Sequence, residues 1–376
     1  MTVYLDCNAT TPVELSVAKA VVQFTSEEFG NAGSRTHEFG TRAKQAVQEA
    51  RDHIAAVVGA SREDILFTSG ATESNNLALL GLAGEGERTG RRHIISSCIE
   101  HKAVLEPLEQ LERRGFQVTL LETGAKGWVD PDDLKRALRP DTLAVSIMQA
   151  NNETGVRQPL SELTAILEDH PAYFHVDAAQ GFGKELEPLE SPRLDLISIS
   201  GHKIYAPKGI GALVLRRRGY RRAPLTPLMY GGGQERGLRP GTLPVPLIVG
   251  LGEAARLARH EHPARMEACL RVRESAEHEM KKLGMVLNGD PERILPHVMN
   301  VSIPGVNAEA AMVALKGFAA ISNGSACTSH SYTPSHVLAA MGFSKDHILS
   351  SIRISWCHLT PELDWEEFAS RLAKLR

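Results

Sequence analysis

The residues best placed to do covalent chemistry are Lys203 and Asp177, each just at or beyond the C-terminal end of a short apolar run. Ile197-Ser198-Ile199-Ser200 breaks into Gly201-His202-Lys203, and Tyr173-Phe174-His175-Val176 breaks into Asp177-Ala178-Ala179-Gln180. Both runs read as buried strands, and open α/β sheets place their ligands beyond the carboxyl ends of such strands. An arbitrary lysine is a solvated surface residue. One that follows a buried strand in a tight Ser-Gly-His turn, with a strand-terminal aspartate upstream, reads as a nucleophilic amine with an acid nearby.

An amine, an acid and small polar donors are what pyridoxal 5′-phosphate requires: a lysine for its aldehyde, a carboxylate for its ring nitrogen and donors for its phosphate. Lys203, Asp177, and Ser200 with His202 fill those roles. Ile65-Leu66-Phe67-Thr68 reads as a further buried strand, and Ser69-Gly70-Ala71-Thr72 leads from it into a helix. The free N–H groups of a helix start attract phosphate. Such a turn can be a plain N-cap, but beside Lys203 and Asp177 it makes Ala71 and Thr72 expected phosphate contacts. Two more strands, His93 to Ile99 and Leu143 to Met148, deliver His101 and the pair Asn151-Asn152. A strand-end histidine is often a structural hydrogen-bonding residue and an asparagine often a turn residue. The amide can also bind a ring oxygen or a carboxylate without adding charge. Arg353, between Ile352 and Ile354, is expected to point inward and to grip a carboxylate with its planar fork.

Five cysteines, odd in number and irregular in spacing, make no disulfide framework, and no pair has zinc-site spacing, so no metal is expected. Cys98 falls in an apolar strand and Cys269 in a helix, where cysteine serves as a small hydrophobe. Cys7 and Cys357 lie near segments that approach the site. Cys327 alone stands in a small, polar, aperiodic stretch, Ser322 to Ser331, expected to be a surface loop.

The strings HVDAAQ, SISGHKIYAPKGIGAL, TSGATESNN, EHKAVLE, QANNETG, GGGQERGLRPGT and NGSACTSHS, in order through nearly the whole chain, resemble the cysteine desulfurases of the NifS/IscS type within the class V aminotransferase family. The resemblance implies that His101 lies over the cofactor ring and moves protons. It implies that Asn152 and Gln180 contact the cofactor's 3′-oxygen, that Asn152 and Arg353 meet the substrate, and that Thr242, in the glycine-rich loop 231–242, binds the phosphate of a partner subunit in a homodimer. It makes Cys327 the nucleophile that takes the sulfur of L-cysteine as a persulfide, releasing L-alanine, for delivery to an acceptor protein. Iron-sulfur assembly, tRNA thiolation and DNA phosphorothioate modification are the outlets such enzymes serve. A selenocysteine lyase or an aminotransferase of the same family is the alternative, and an aminotransferase needs no such thiol. Two departures stand out. Trp356-Cys357-His358 replaces the small residue that many members have soon after the arginine, and the chain ends at Arg376, where relatives serving iron-sulfur assembly often continue into a docking tail.

Length and composition frame these readings. The chain has 376 residues, 42% of them hydrophobic, and a formal net charge of -3, which gives no reason to expect direct nucleic-acid or membrane binding. Its start has neither a basic nor a continuous apolar segment, and no stretch approaches a membrane-spanning length, so the protein is expected to be cytoplasmic. Alternating strands and helices up to about residue 250 predict an α/β fold of the pyridoxal-phosphate fold type I, with a mainly parallel seven-stranded sheet in a large domain, 13–250. A smaller α+β domain is expected from 1–12 and 251–376, with the cysteine loop on it. The arginine-rich run 216–222 reads as a solvated loop.

Overall fold

The computed structural model describes residues 2–324 and 334–376. The strands, in chain order, are β1 (Val3–Tyr4), β2 (Ile65–Thr68), β3 (His93–Ser97), β4 (Gln117–Leu121), β5 (Thr142–Ser146), β6 (Tyr173–Asp177), β7 (Leu196–Ser200), β8 (Gly211–Leu215), β9 (Arg217–Arg218), β10 (Arg221–Arg222), β11 (Val286–Leu287), β12 (Val298–Ser302), β13 (Ala319–Ala320) and β14 (Ser351–Ser355). Seven of them form one sheet in the order β2-β8-β7-β6-β5-β3-β4. Only β8 runs against its neighbours; the other pairings are parallel.

Alternate residues of these strands face opposite layers, and both faces are apolar. Ile65, Phe67, Val145, Phe174, Ile197 and Ile199 pack in one core, while Leu66, Ile94, Ala144 and Leu196 pack in another. Burial on both faces is why the strands read as nearly continuous hydrophobic runs. Helices Glu38–Val58 and Val245–His260 cover the first face. They approach so closely that a Cβ on Gly252 would lie 2.6 Å from the Cα of Ala50. The first of them ends at Gly59 in the left-handed conformation expected of a glycine C-cap. Helices Ala71–Gly81 and Lys102–Arg113 cover the second face.

Beyond Val245–His260 and His262–Lys282, β11, β12 and β14 make a small antiparallel sheet. It has its own core around Met299, Val301, Ile352, Ile354, Trp356 and Phe368. The first residues of the chain join it: β1 pairs in parallel with β13, and Leu5 lies in that core.

One local expectation needs correction. The arginine run folds back on itself as the antiparallel hairpin β9–β10, with Arg218 and Arg222 anchored to Asp195 and Asp64. The strand that carries Arg353 begins at Ser351, because Ser344 caps a short helix, Lys345–Leu349, through the His347 N–H. Among the described residues no helix is long and apolar enough to cross a membrane.

Candidate active site

A cavity of about 650 Å³ opens at the carboxyl ends of β6 and β7. Strand β7 delivers Ser200 to it and, through the single turn Gly201–Lys203, His202 and Lys203. Only glycine fits at the start of that turn, since a Cβ on Gly201 would lie 2.9 Å from the Ile210 carbonyl oxygen. The Lys203 amine donates to the backbone carbonyls of Ala9, at 2.9 Å, and Asn8. His202 shares a hydrogen bond of 3.1 Å between its Nδ1 and the Thr10 hydroxyl. Burial, helped by the charges of Lys203 and Lys208, pushes its pKa down to about 4, so it offers a hydrogen bond and not a charge near neutrality.

Strand β6 ends in Asp177, buried beneath the cavity floor. Its Oδ2 accepts from Asn75 Nδ2 at 2.7 Å and its Oδ1 from the Ala179 N–H at 2.9 Å, which together fix the carboxylate plane. Ala71 and Thr72 open their helix after Gly70, where no side chain caps the helix, so the first-turn N–H groups face the cavity they line. Gly211 on β8 allows this turn to sit close, because a Cβ there would lie 2.6 Å from the Gly70 Cα.

His101 is the N-cap of helix Lys102–Arg113, and its Nδ1 accepts the Ala103 N–H at 3.1 Å. Burial pushes its pKa below the ordinary histidine value; Asp177 opposes this and Lys203 adds to it. A neutral ring whose Nδ1 is an acceptor carries its proton on Nε2. The two asparagines after β5 divide their work. Asn151 is structural, accepting from the Glu153 and Thr154 N–H groups at 2.8 and 3.0 Å and donating to the Ile99 carbonyl at 3.0 Å. Asn152 lines the cavity. Gln180 is tethered through Nε2 to the Asn8 carbonyl at 3.0 Å.

On the opposite wall, Arg353 projects from the middle of β14, buried as expected. Its Nη1 donates to the Asn152 carbonyl at 2.9 Å and its Nη2 to the Asp6 carboxylate at 2.6 Å. The neighbouring Trp356 does not reshape this wall. Its indole turns into the C-terminal core, donating to the Cys269 carbonyl at 2.9 Å and meeting Trp365 edge-on.

Thr242 is exposed and does not line the cavity of its own chain. Cys327 lies outside the described residues; Gly324, the last described residue before it, lines the cavity. Asp6, Asn8 and Asn75 were not singled out from sequence, although each binds a residue that was. Glu100 is a further buried neighbour. It accepts from the Ser97 hydroxyl and the Met148 N–H, and burial raises its pKa to about 8.

The cavity is built for a polar occupant. Among the described residues, ten side chains hold a buried polar atom without a protein partner. Five of these, Asn8, Asn75, Asn152, Gln180 and Arg353, line this one cavity. With an amine, a carboxylate and an uncapped helix start converging beside them, the residues fit pyridoxal 5′-phosphate.

Fold and site together define an α/β enzyme of the pyridoxal-phosphate class. The chain belongs to the aminotransferase class-V family, whose model matches residues 3–368. It is 48% identical over 373 residues to cysteine desulfurase IscS of Methylococcus capsulatus, covering 99% of this chain and 91% of that one. It also resembles the crystal structure of DndA from Streptomyces lividans, with 52% identity and a TM-score of 0.82 over 93% of this chain and 98% of that one. A structure of SspA in complex with cysteine is similar at 38% identity and a TM-score of 0.83, over 96% of this chain and 100% of that one.

Proposed function

We propose that this chain takes the sulfur from L-cysteine, releases L-alanine, and carries the sulfur as a persulfide on Cys327 to an acceptor protein. The observation that carries the reading is the convergence on one cavity of Lys203, Asp177, His101 and Arg353. The chain is an enzyme of the pyridoxal-phosphate-dependent cysteine desulfurase type, as its identity to IscS supports.

When bound, pyridoxal 5′-phosphate supplies an electron sink that makes the Cα proton of an amino acid removable. Lys203 would hold the cofactor and, as a free amine, would accept that proton. Asp177, oriented by Asn75, keeps a proton on the ring nitrogen. Ala71, Thr72, Ser200 and His202 hold the phosphate, with Thr242 contributed by a second copy. Asn152 and Gln180 meet the 3′-oxygen, and His101, its proton on Nε2, covers the ring and returns a proton to the product. Arg353 and Asn152 bind the substrate carboxylate. The Cys327 thiolate attacks the substrate sulfur, an S–S bond forms and the Cβ–S bond breaks, leaving the persulfide on the enzyme.

A homodimer follows from the same reading. It is supported by the exposed apolar side chains Leu15, Val22 and Phe29, by Phe39, which stacks on Phe29, and by Leu228, Met229 and Tyr230 just before the glycine-rich loop. Exposed apolar side chains of this size suit burial against a second copy, which would also bring Thr242 to the partner's phosphate. The two separate cores support a large domain, 13–250, and a small one from 1–12 and 251–376. We place the enzyme in the cytoplasm, with no direct nucleic-acid contact. Its acceptor is a protein serving iron-sulfur assembly, tRNA thiolation or DNA phosphorothioation.

Cys327→Ser tests the reading. A hydroxyl, with a pKa far above the thiol's ~8.5, cannot act as the nucleophile near neutral pH. The variant is expected to keep its cofactor and to change its visible absorbance on adding L-cysteine, yet to form neither persulfide nor alanine. Near-normal alanine production would return the chain to the wider family, as a lyase or aminotransferase that needs no thiol.

A further inference from the structure

Cys7 and Cys357 pack together in a small buried cluster completed by Tyr205. Both are free and buried. The backbone brings them together: Asp6 bridges Ser355 in parallel, the Cys7 N–H donates to the Ser355 carbonyl at 3.1 Å, and the Asn8 N–H donates to the Ser355 hydroxyl at 2.9 Å. The pair is asymmetric. The Cys7 thiol, working against burial and helped by the Leu359 backbone and the Thr360 hydroxyl, holds the Cys357 pKa down to about 6. Its neighbour Cys357 pushes Cys7 well above the ordinary thiol range. Two packed thiols of which one is the more acidic is the arrangement that disulfide formation needs.

We propose that Cys7 and Cys357 are a redox-active pair that a small hydroperoxide oxidises to a disulfide, and that the bond shifts the Asp6–Asn8 segment away from Arg353 and Lys203. Cys357 attacks one peroxide oxygen, an S–O bond forms, the O–O bond breaks and hydroxide leaves. Cys7 then attacks the resulting sulfenic sulfur, the S–S bond forms, and the S–O oxygen departs as water. Two thiols are oxidised by two electrons, and the peroxide is reduced to two waters.

The consequence for catalysis follows from what flanks Cys7. Asp6 holds Arg353 at 2.6 Å. The Asn8 carbonyl accepts from Lys203 and from Gln180. Two sulfurs in van der Waals contact must close to the ~2.05 Å of a disulfide, which moves the backbone that carries them. A displacement of ~1 Å in a positioning group can cost up to about a hundredfold in rate. Burial of both sulfurs excludes bulky disulfides such as oxidised glutathione, so the oxidant proposed is a small one.

The test uses the purified holoenzyme. After brief treatment with hydrogen peroxide, acid quenching and alkylation in denaturant, mass spectrometry of an unreduced digest is expected to find the Cys7 peptide joined to the Cys357 peptide, with two hydrogens lost. Oxidised glutathione is expected to yield far less of it. Titrating the cofactor absorbance with L-alanine, a thiol-free carboxylate ligand, is expected to give roughly tenfold weaker binding in the oxidised enzyme, reversed by reductant. Oxidant is expected to leave that affinity unchanged in Cys357→Ser, or in Cys357→Ala should the first variant fold poorly. The pair is refuted if peroxide oxidises Cys98 while leaving Cys7 and Cys357 unlinked. A complete cross-link with unchanged L-alanine affinity refutes the coupling to the site. That coupling rests on the proposed role of Arg353, whereas the cross-link is read by mass alone, so the two failures are distinguishable.

Discussion

Replacing Arg353 with lysine isolates the proposed carboxylate contact from the arginine's structural work. Arg353 already donates at 2.9 Å to the Asn152 carbonyl and at 2.6 Å to Asp6, which leaves the unpartnered Nε edge of the guanidinium for a substrate. Alanine would be the wrong perturbation. It would strand the Asp6 carboxylate beside a buried wall, and breaking a buried ion pair costs about 3–5 kcal/mol of stability. Lysine keeps the charge near Asp6 but has one nitrogen where the fork has three. Losing one hydrogen bond between charged groups costs about 1.5–3 kcal/mol. At ~1.4 kcal/mol per tenfold, the KM for L-cysteine is expected to rise roughly 10- to 100-fold. kcat and cofactor content should change much less, because nothing in the reading puts Arg353 on the cofactor. Initial rates of alanine formation over a range of L-cysteine, with cofactor content and melting temperature measured in parallel, provide the assay. A KM within about twofold of the parent at full cofactor content would refute the reasoning and leave Arg353 as a tether for Asp6.

The remaining predictions address the lysine, the helix start and a buried histidine. Borohydride reduction of the holoenzyme is expected to fix the cofactor on the Lys203 peptide, and Lys203→Ala is expected to lose the covalent link; label on another lysine would reject the assignment. Gly211→Ala would put a Cβ 2.4 Å from the Ile199 carbonyl oxygen and 2.6 Å from the Gly70 Cα, so cofactor affinity measured by equilibrium dialysis is expected to fall at least about tenfold; unchanged affinity would show that the cradle tolerates displacement. His175 hydrogen-bonds Ser146 and Ser198, and burial lowers its pKa to about 3. Its folded pKa is depressed, so its stability contribution is present above the unfolded value of ~6.5 and is lost as pH falls from there toward 3, at about 1.4 kcal/mol per pH unit. His175→Gln should flatten that acid limb in denaturant midpoints, and an unaltered limb would assign it to other groups.

How far the sequence could be read follows from where each signal resides. Lys203, Asp177 and Ser200 were legible because a parallel strand buried on both faces is a continuous apolar run, and the polar residue that ends it stands out; the strand end gave the pair Asn151-Asn152, and only the family resemblance chose between them. The α/β class was legible for the same reason. Asn75 was not, because within its helix it is one polar residue among several; only the turn of that helix toward β6 sets its amide 2.7 Å from Asp177. The hairpin β9–β10 was missed because its order depends on Asp195 and Asp64, from distant parts of the chain. The role of Trp356 could not be read from its proximity in sequence to Arg353. On a strand, residues separated by an odd number face opposite ways, and Trp356, three positions on, belongs to the core while Arg353 faces the cavity.

The segment Asp6-Cys7-Asn8-Ala9 shows why a site of this kind takes residues from both ends of a chain. Its backbone follows β1, which pairs with β13 at the small core, so the segment is carried by the C-terminal half of the structure. Its polar groups reach the other half: the Asn8 and Ala9 carbonyls accept from Lys203, and the Asn8 amide donates to the Asn152 carbonyl at 3.2 Å. Asp6 then ties Arg353, on the small sheet, into the same network. A substrate spanning from Lys203 to Arg353 therefore bridges two cores that this segment has already coupled. Any shift of one core against the other changes the distance between the amine that holds the cofactor and the guanidinium proposed to hold the carboxylate. Four consecutive residues with no periodicity of their own thus tie together the lysine and the arginine proposed to hold the cofactor and the substrate carboxylate.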